Sequence, residues 1–112
     1  MDNDLTQNKR NTNRLRMHLP ITYKVMSNPK FGKTVTKDIS KSGMRMISEN
    51  FIPPLTELAL QINLFSKILN PTAKVIWSQR LPYSDRYQVG VKFDQINGPE
   101  SRYLEDYLLL HE

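Results

Sequence analysis

Apolar and polar residues alternate along most of the chain after residue 13, a pattern typical of half-buried β-strands. The first alternation runs from Leu15 to Val25 and contains Pro20, which confines a strand to an edge or a bulge. Turn-forming residues separate five further alternations, which cover residues 33–39, 44–48, 58–64, 73–78 and 87–93. Six short strands at this spacing predict an all-β fold, an antiparallel barrel.

The last part of the chain has the period of a helix. Asn97 or Gly98 can cap its N-terminus, with Pro99 and Glu100 in the first turn. The apolar residues that follow at helical spacing are Tyr103, Leu104, Tyr107, Leu108 and Leu110. We therefore expect a C-terminal α-helix that covers one open end or side of the barrel.

The length and composition narrow the class of protein. A chain of 112 residues predicts one domain, and the absence of cysteine excludes disulfides and thiolate metal sites. No apolar run approaches the roughly 20 residues of a membrane span, and the polar N-terminus lacks the apolar segment of a signal peptide. These features predict a cytoplasmic protein without membrane insertion.

Positive charge is concentrated in the first half. Residues 1–50 carry a net charge of +6 and residues 51–112 a net charge of −1. The polar residues 1–13 are predicted to form a flexible basic arm, and residues 14–112 the folded domain. The basic half indicates an anionic partner, although a solubilising surface without a ligand would have the same composition.

Residues that could carry catalysis or bind a metal are scarce. The two histidines, His18 and His111, are far apart, and no group of residues has the spacing of metal ligands or of a catalytic motif. His18 falls on the polar phase of the first strand, which is typical of a surface residue. We therefore predict no enzyme activity, no metal and no cofactor.

Two short patterns could form a ligand site. Arg10 and Arg14 lie four residues apart where the arm meets the barrel, and guanidinium groups bind phosphate and guanine edges, although a solvated basic segment would look the same. Asp38, Ser40 and Gly43 form D-x-S-x-x-G between two predicted strands. A carboxylate accepts from a guanine N–H edge, but the same residue types also build ordinary hairpin turns.

The order and spacing of these patterns resemble the PilZ domain family. R-x-x-x-R precedes the first strand, and D-x-S-x-x-G follows some 25 residues later. The strand segments LRMHLPITYKV, AKVIWS and YQVGVKF also resemble those of the family, so that the likeness covers roughly residues 9–110. The resemblance implies a six-stranded antiparallel barrel with a C-terminal helix.

The resemblance also implies a ligand, because many PilZ domains bind the bacterial second messenger cyclic di-GMP. It implies that Arg10 and Arg14 hold phosphates and guanine edges, and that Asp38 and Ser40 hold a guanine. It also implies that Gly43 keeps the bend between the second and third predicted strands close to the ligand. Further positions expected near the ligand are Lys9, Lys41, Ser42, Arg45 and Trp77. Lys9 stands where many relatives have arginine, which leaves one or two bound ligands open.

Two of these positions have a second interpretation from their place in the sequence. Trp77 could stack on a base, but it shares the strand phase of Ala73 and Val75, which predicts core packing at least equally. Arg45, two residues after Gly43, could contact the ligand or lie on the surface.

The functional expectation is a single-domain cyclic di-GMP receptor that acts in trans. Ordering of the arm would change the surface that an unidentified downstream protein reads, in a process such as motility or biofilm formation. One alternative is a PilZ-like interaction module that binds no nucleotide. The other is a small basic nucleic-acid-binding barrel, although we expect neither DNA nor RNA as a partner.

Overall fold

Seven β-strands and one α-helix follow each other in this computed structural model, which describes residues 14–27 and 31–111. The elements are β1 (Pro20–Val25), β2 (Phe31–Ile39), β3 (Gly43–Ser48), β4 (Glu57–Asn63), β5 (Ile68–Leu69), β6 (Thr72–Arg80), β7 (Tyr87–Gln95) and α1 (Gly98–Leu110). Residues 1–13, for which the sequence predicts the arm, lie outside the described residues.

The strands form a closed antiparallel barrel. Their order is β1-β2-β3-β7-β6-β4-β5, and β1 also pairs with β4, which closes the barrel. The predicted six-stranded barrel is therefore confirmed. The additional strand, β5, pairs within the described residues with the end of β4 alone. It is two residues long, too short to show alternation in the sequence.

Period-two alternation explains the core, because the inward-facing phase of each strand is apolar. Fully buried side chains from five barrel strands meet there, among them Ile39, Met44, Leu58, Ile62, Val75 and Val89. Burial of each such side chain stabilises the fold by about 1.5–3 kcal/mol.

The C-terminal helix is confirmed and packs on this core through Leu104 and Leu108, which are buried. Asn97 is the N-cap residue: its side-chain Oδ1 accepts a hydrogen bond from the backbone N–H of Glu100 at 2.8 Å. Within the described residues, no helix has both the length and the apolar character needed to cross a membrane.

The first strand differs from its prediction at its start. Regular pairing begins at Pro20 opposite Val35, whereas Leu15 bridges to Ile39, so that five steps along this segment match four along β2. Thr36 bonds to both sides of the resulting irregularity: its hydroxyl donates to the carbonyl of Met17 and accepts from the N–H of Leu19 at 3.0 Å. The segment before Pro20 thus stays attached to β2.

Candidate ligand-binding site

The carboxylate of Asp38 is buried between two arginines at the end of β2, and only 2% of its surface is exposed. Arg14 Nη1 lies 3.2 Å from Oδ1, and Arg45 donates from Nε to Oδ2 at 2.6 Å and from Nη2 to the same oxygen. Both arginines remain partly exposed, with side-chain exposures of 45% and 36%. Because two cations surround one anion, the site keeps a positive charge that an anionic ligand would neutralise.

Backbone pairing positions these three side chains. Asp38 lies opposite Arg45 in the β2–β3 register, at a bulge that follows Thr36. Leu15 exchanges two backbone hydrogen bonds with Ile39, at 2.9 and 3.0 Å, which holds the preceding Arg14 beside Asp38.

The bend between β2 and β3 is held by its own serines. Ser40 is buried, its N–H donates to the carbonyl of Gly43 at 2.8 Å, and its hydroxyl accepts from the N–H of Ser42 at 3.3 Å. The carbonyl of Ser42 accepts from the N–H of Phe93 at 2.9 Å, so β7 supports the bend. Ser40 therefore shapes the turn, as the hairpin interpretation of the sequence expects.

Gly43 is required by the approach of two backbones. A methyl group at this position would overlap the carbonyl oxygen of Val91 and lie 3.2 Å from the Cα of Lys92. Only a residue without a Cβ lets β3 and β7 come this close.

Trp77 lies on the outer face of the barrel, not in its core. A register shift between Val75 and Trp77 inserts Ile76 as an extra residue, so Trp77 faces outward although Val75 faces inward. Trp77 is 36% exposed and its ring lies over Gly90, the residue opposite it on β7. The core alternative for Trp77 is therefore wrong, and the ring is accessible from the same side as Arg45, which also pairs with Gly90.

A groove of about 210 Å³ lies on this outer face. Its lining residues are Arg14, Ser42, Gly43, Ile76, Trp77, Gly90, Val91 and Lys92. The groove thus combines cations, an aromatic ring and a floor of two glycines, a set of groups that can bind a phosphate beside a planar base.

The predicted site residues divide into three groups in the structure. Four of them line the groove, namely Arg14, Ser42, Gly43 and Trp77. Asp38, Ser40 and Arg45 support it, whereas the Lys41 amine lies 3.7 Å from a carboxylate oxygen of Glu105 on α1. Lys9 and Arg10 lie outside the described residues.

Four residues that line the groove lie outside the predicted set, namely Ile76, Gly90, Val91 and Lys92. Gly90 carried a signal, because a glycine inside a strand pattern often marks a place where another group approaches closely. Lys92 carried none, since a lysine on the polar phase of a strand looks like any surface residue. Among residues 14–27 and 31–111 no cluster of three acidic or histidine side chains could hold a metal ion.

The fold and site together define a class of protein: a closed antiparallel barrel with a helix over the core and a cationic groove outside. The family model for the PilZ domain matches residues 8–110, and the chain belongs to this family. No curated protein is significantly similar to the chain in sequence.

Solved structures with the same fold include three with informative descriptions. The Bacillus subtilis inhibitor of motility MotI/DgrA has a TM-score of 0.77 at 16% identity, over 88% of this chain and 48% of that chain. The K. pneumonia MrkH–c-di-GMP complex has a TM-score of 0.69 at 18% identity, over 87% of this chain and 49% of that chain. The PilZ domain of Escherichia coli YcgR, solved with c-di-GMP, has a TM-score of 0.68 at 12% identity, over 88% of this chain and 87% of that chain.

This chain therefore spans about half the length of the MotI and MrkH chains. At these identities the likeness shows the fold.

Proposed function

We propose that this chain is a receptor for cyclic di-GMP and that the ligand binds in the groove on the outer face of β3, β7 and β6. The observation that carries this proposal is the buried Asp38 carboxylate between Arg14 and Arg45, beside a groove that also contains Trp77. Relatives in the same family, YcgR and MrkH, have been solved with this ligand, which supports the choice.

In this proposal each group has a distinct role. Arg14, together with Arg10 from the arm, binds phosphate and the acceptor edge of a guanine. Asp38 accepts from the donor edge of a guanine, and Ser40 keeps the bend in the shape that exposes Ser42. Trp77 offers its free face for stacking on a base.

Arg45 has a supporting role in this proposal. It holds Asp38 Oδ2, which leaves Arg14 on Oδ1 as the partner that a ligand can rearrange. Because Asp38 is already buried against Arg45, the carboxylate needs little further desolvation when the ligand arrives.

We further propose that the bound ligand fixes residues 1–13 against the barrel, and that a separate protein reads the altered surface. Arg10 lies only four residues before Arg14, so one ligand can contact both. The test is limited trypsin digestion. Ligand should protect the bonds after Lys9 and Arg10, and equal cleavage with and without ligand would contradict the arm mechanism.

The main experiment is calorimetric titration with cyclic di-GMP at about physiological salt. We expect saturable binding that Arg14→Ala weakens about 10- to 150-fold, the value of one or more charge-assisted hydrogen bonds. Arg16→Ala is the matched control, because Arg16 is exposed two residues further along the same segment.

Other outcomes of the same titration separate the alternatives. Absence of heat on folded protein would contradict the receptor and favour an interaction module. Equal binding of cyclic di-AMP and of single-stranded DNA, with a steep loss at high salt, would favour a general nucleic-acid binder. Retention of full affinity by Arg14→Ala would place the ligand elsewhere.

A further inference from the structure

Lys92 projects from the barrel into the groove beside Gly43. Its neighbours on β7, Val91 and Phe93, are buried, so Lys92 belongs to the outward phase and is exposed. It lies opposite Gly43 on β3 and opposite Lys74 on β6. Two lysines therefore face each other on neighbouring strands at the edge of the candidate site.

This arrangement costs stability when nothing lies between the charges. Like charges directly opposite each other in a sheet destabilise it. Lys74 has partial compensation, because Glu57 lies opposite it on β4. Asp94 is exposed two residues beyond Lys92 on the same strand, yet within the described residues neither lysine forms an ion pair.

We propose that Lys92, supported by Lys74, is a phosphate-binding position that the barrel itself supplies. The proposal rests on the proposed function and adds to it a cation that does not depend on the arm. The amine would bind a phosphate oxygen of the ligand as a point charge, at the side of Gly43 that lacks a side chain to block it. Arg14 and Lys92, which both line the groove, would then hold the phosphate from two sides.

The test compares Lys92→Gln with Lys24→Gln, which removes the same charge from an exposed position on β1. We expect Lys92→Gln to weaken cyclic di-GMP binding about 10-fold and Lys24→Gln to leave it nearly unchanged. Lys74→Gln should have a smaller effect than Lys92→Gln, because Glu57 already compensates it.

A second readout separates a ligand contact from a structural role. Without ligand, Lys92→Gln should melt about 1–4 °C above the wild type, because it relieves the repulsion with Lys74. With saturating cyclic di-GMP, this difference in melting temperature should become smaller or change sign. If Lys92 had a merely structural role, its substitution would not both stabilise the free protein and weaken the complex with the ligand.

These experiments distinguish an error in this inference from an error in the proposed function. If the wild type binds cyclic di-GMP and Lys92→Gln binds as tightly as Lys24→Gln, this inference is wrong and the receptor stands. If the folded wild type does not bind, both are wrong.

Discussion

The indole ring of Trp77 lies directly over Gly90, so closely that a methyl group at position 90 would overlap its Nε1 and Cε2 atoms. The ring is held against the backbone of β7 by this contact and by the bulge at Ile76. Trp77 remains 36% exposed, so part of its ring is available for stacking on a base.

Gly90→Ala is expected to displace this ring without unfolding the barrel, because the overlapping atoms belong to a side chain that can move. Trp77 is the sole tryptophan, so its fluorescence reports the change directly. We expect a red-shifted emission and weaker ligand binding. The matched control is Gly98→Ala, at which a methyl group meets nothing within 4 Å. Unchanged emission from Gly90→Ala would contradict the contact.

Gly43→Ala should act differently, because its overlap is with the backbone carbonyl of Val91, which cannot rotate away. Separation of β3 from β7 would break ladder bonds beneath the bend and cost about 2–3 kcal/mol or more. Urea denaturation measures this loss. If Gly43→Ala is as stable as Gly98→Ala, the two backbones are not as close as described.

Trp77→Ala is expected to lower affinity for cyclic di-GMP about 5- to 150-fold, the range of one lost base-stacking contact. Trp77→Phe should keep most of the affinity, since an aromatic face remains. Because Trp77 is partly exposed, both variants should fold, which circular dichroism would verify. Equal affinities for all three proteins would mean that no base lies on this ring.

Arg45→Lys tests the link between Arg45 and Asp38. A lysine cannot reproduce the two contacts that Nε and Nη2 make with Oδ2, so the buried carboxylate loses part of its pairing. We expect a loss of about 1–2 kcal/mol in the free energy of unfolding, discounted because Arg45 is partly exposed. Arg16→Lys, on an exposed residue, should change neither stability nor affinity. Wild-type stability of Arg45→Lys would show that the contact is dispensable.

Six of the seven strands described and the helix could be predicted because each is long enough to show its period. The bounds of β2, β3 and β7 fall within two residues of the predicted ones. β5 is two residues long and shows no period, and the start of β1 is obscured by the irregularity at Thr36, which pairs through its side chain.

The candidate site was predictable only where a residue type implied its own surroundings. The spacing of Asp38 and Gly43 indicates the site, whereas the strand phase of Trp77 favours the core at least as much as the outer face. Assigning alternate residues to the inner and outer faces fails across the bulge at Ile76, and a single sequence does not show where a bulge lies. Lys92 gains its meaning only from the strands on either side of it.

The two backbone hydrogen bonds between Leu15 and Ile39 also limit where the proposed arm residue Arg10 can lie. They fix the chain one residue after Arg14, so Arg10 cannot lie more than about 14 Å from Arg14 along an extended chain. In the proposed complex, an arginine on so short a tether would be available to the ligand at an effective concentration in the millimolar range. Separating Arg10 from Arg14 with inserted glycines would dilute that local concentration, and affinity should fall gradually with each insertion.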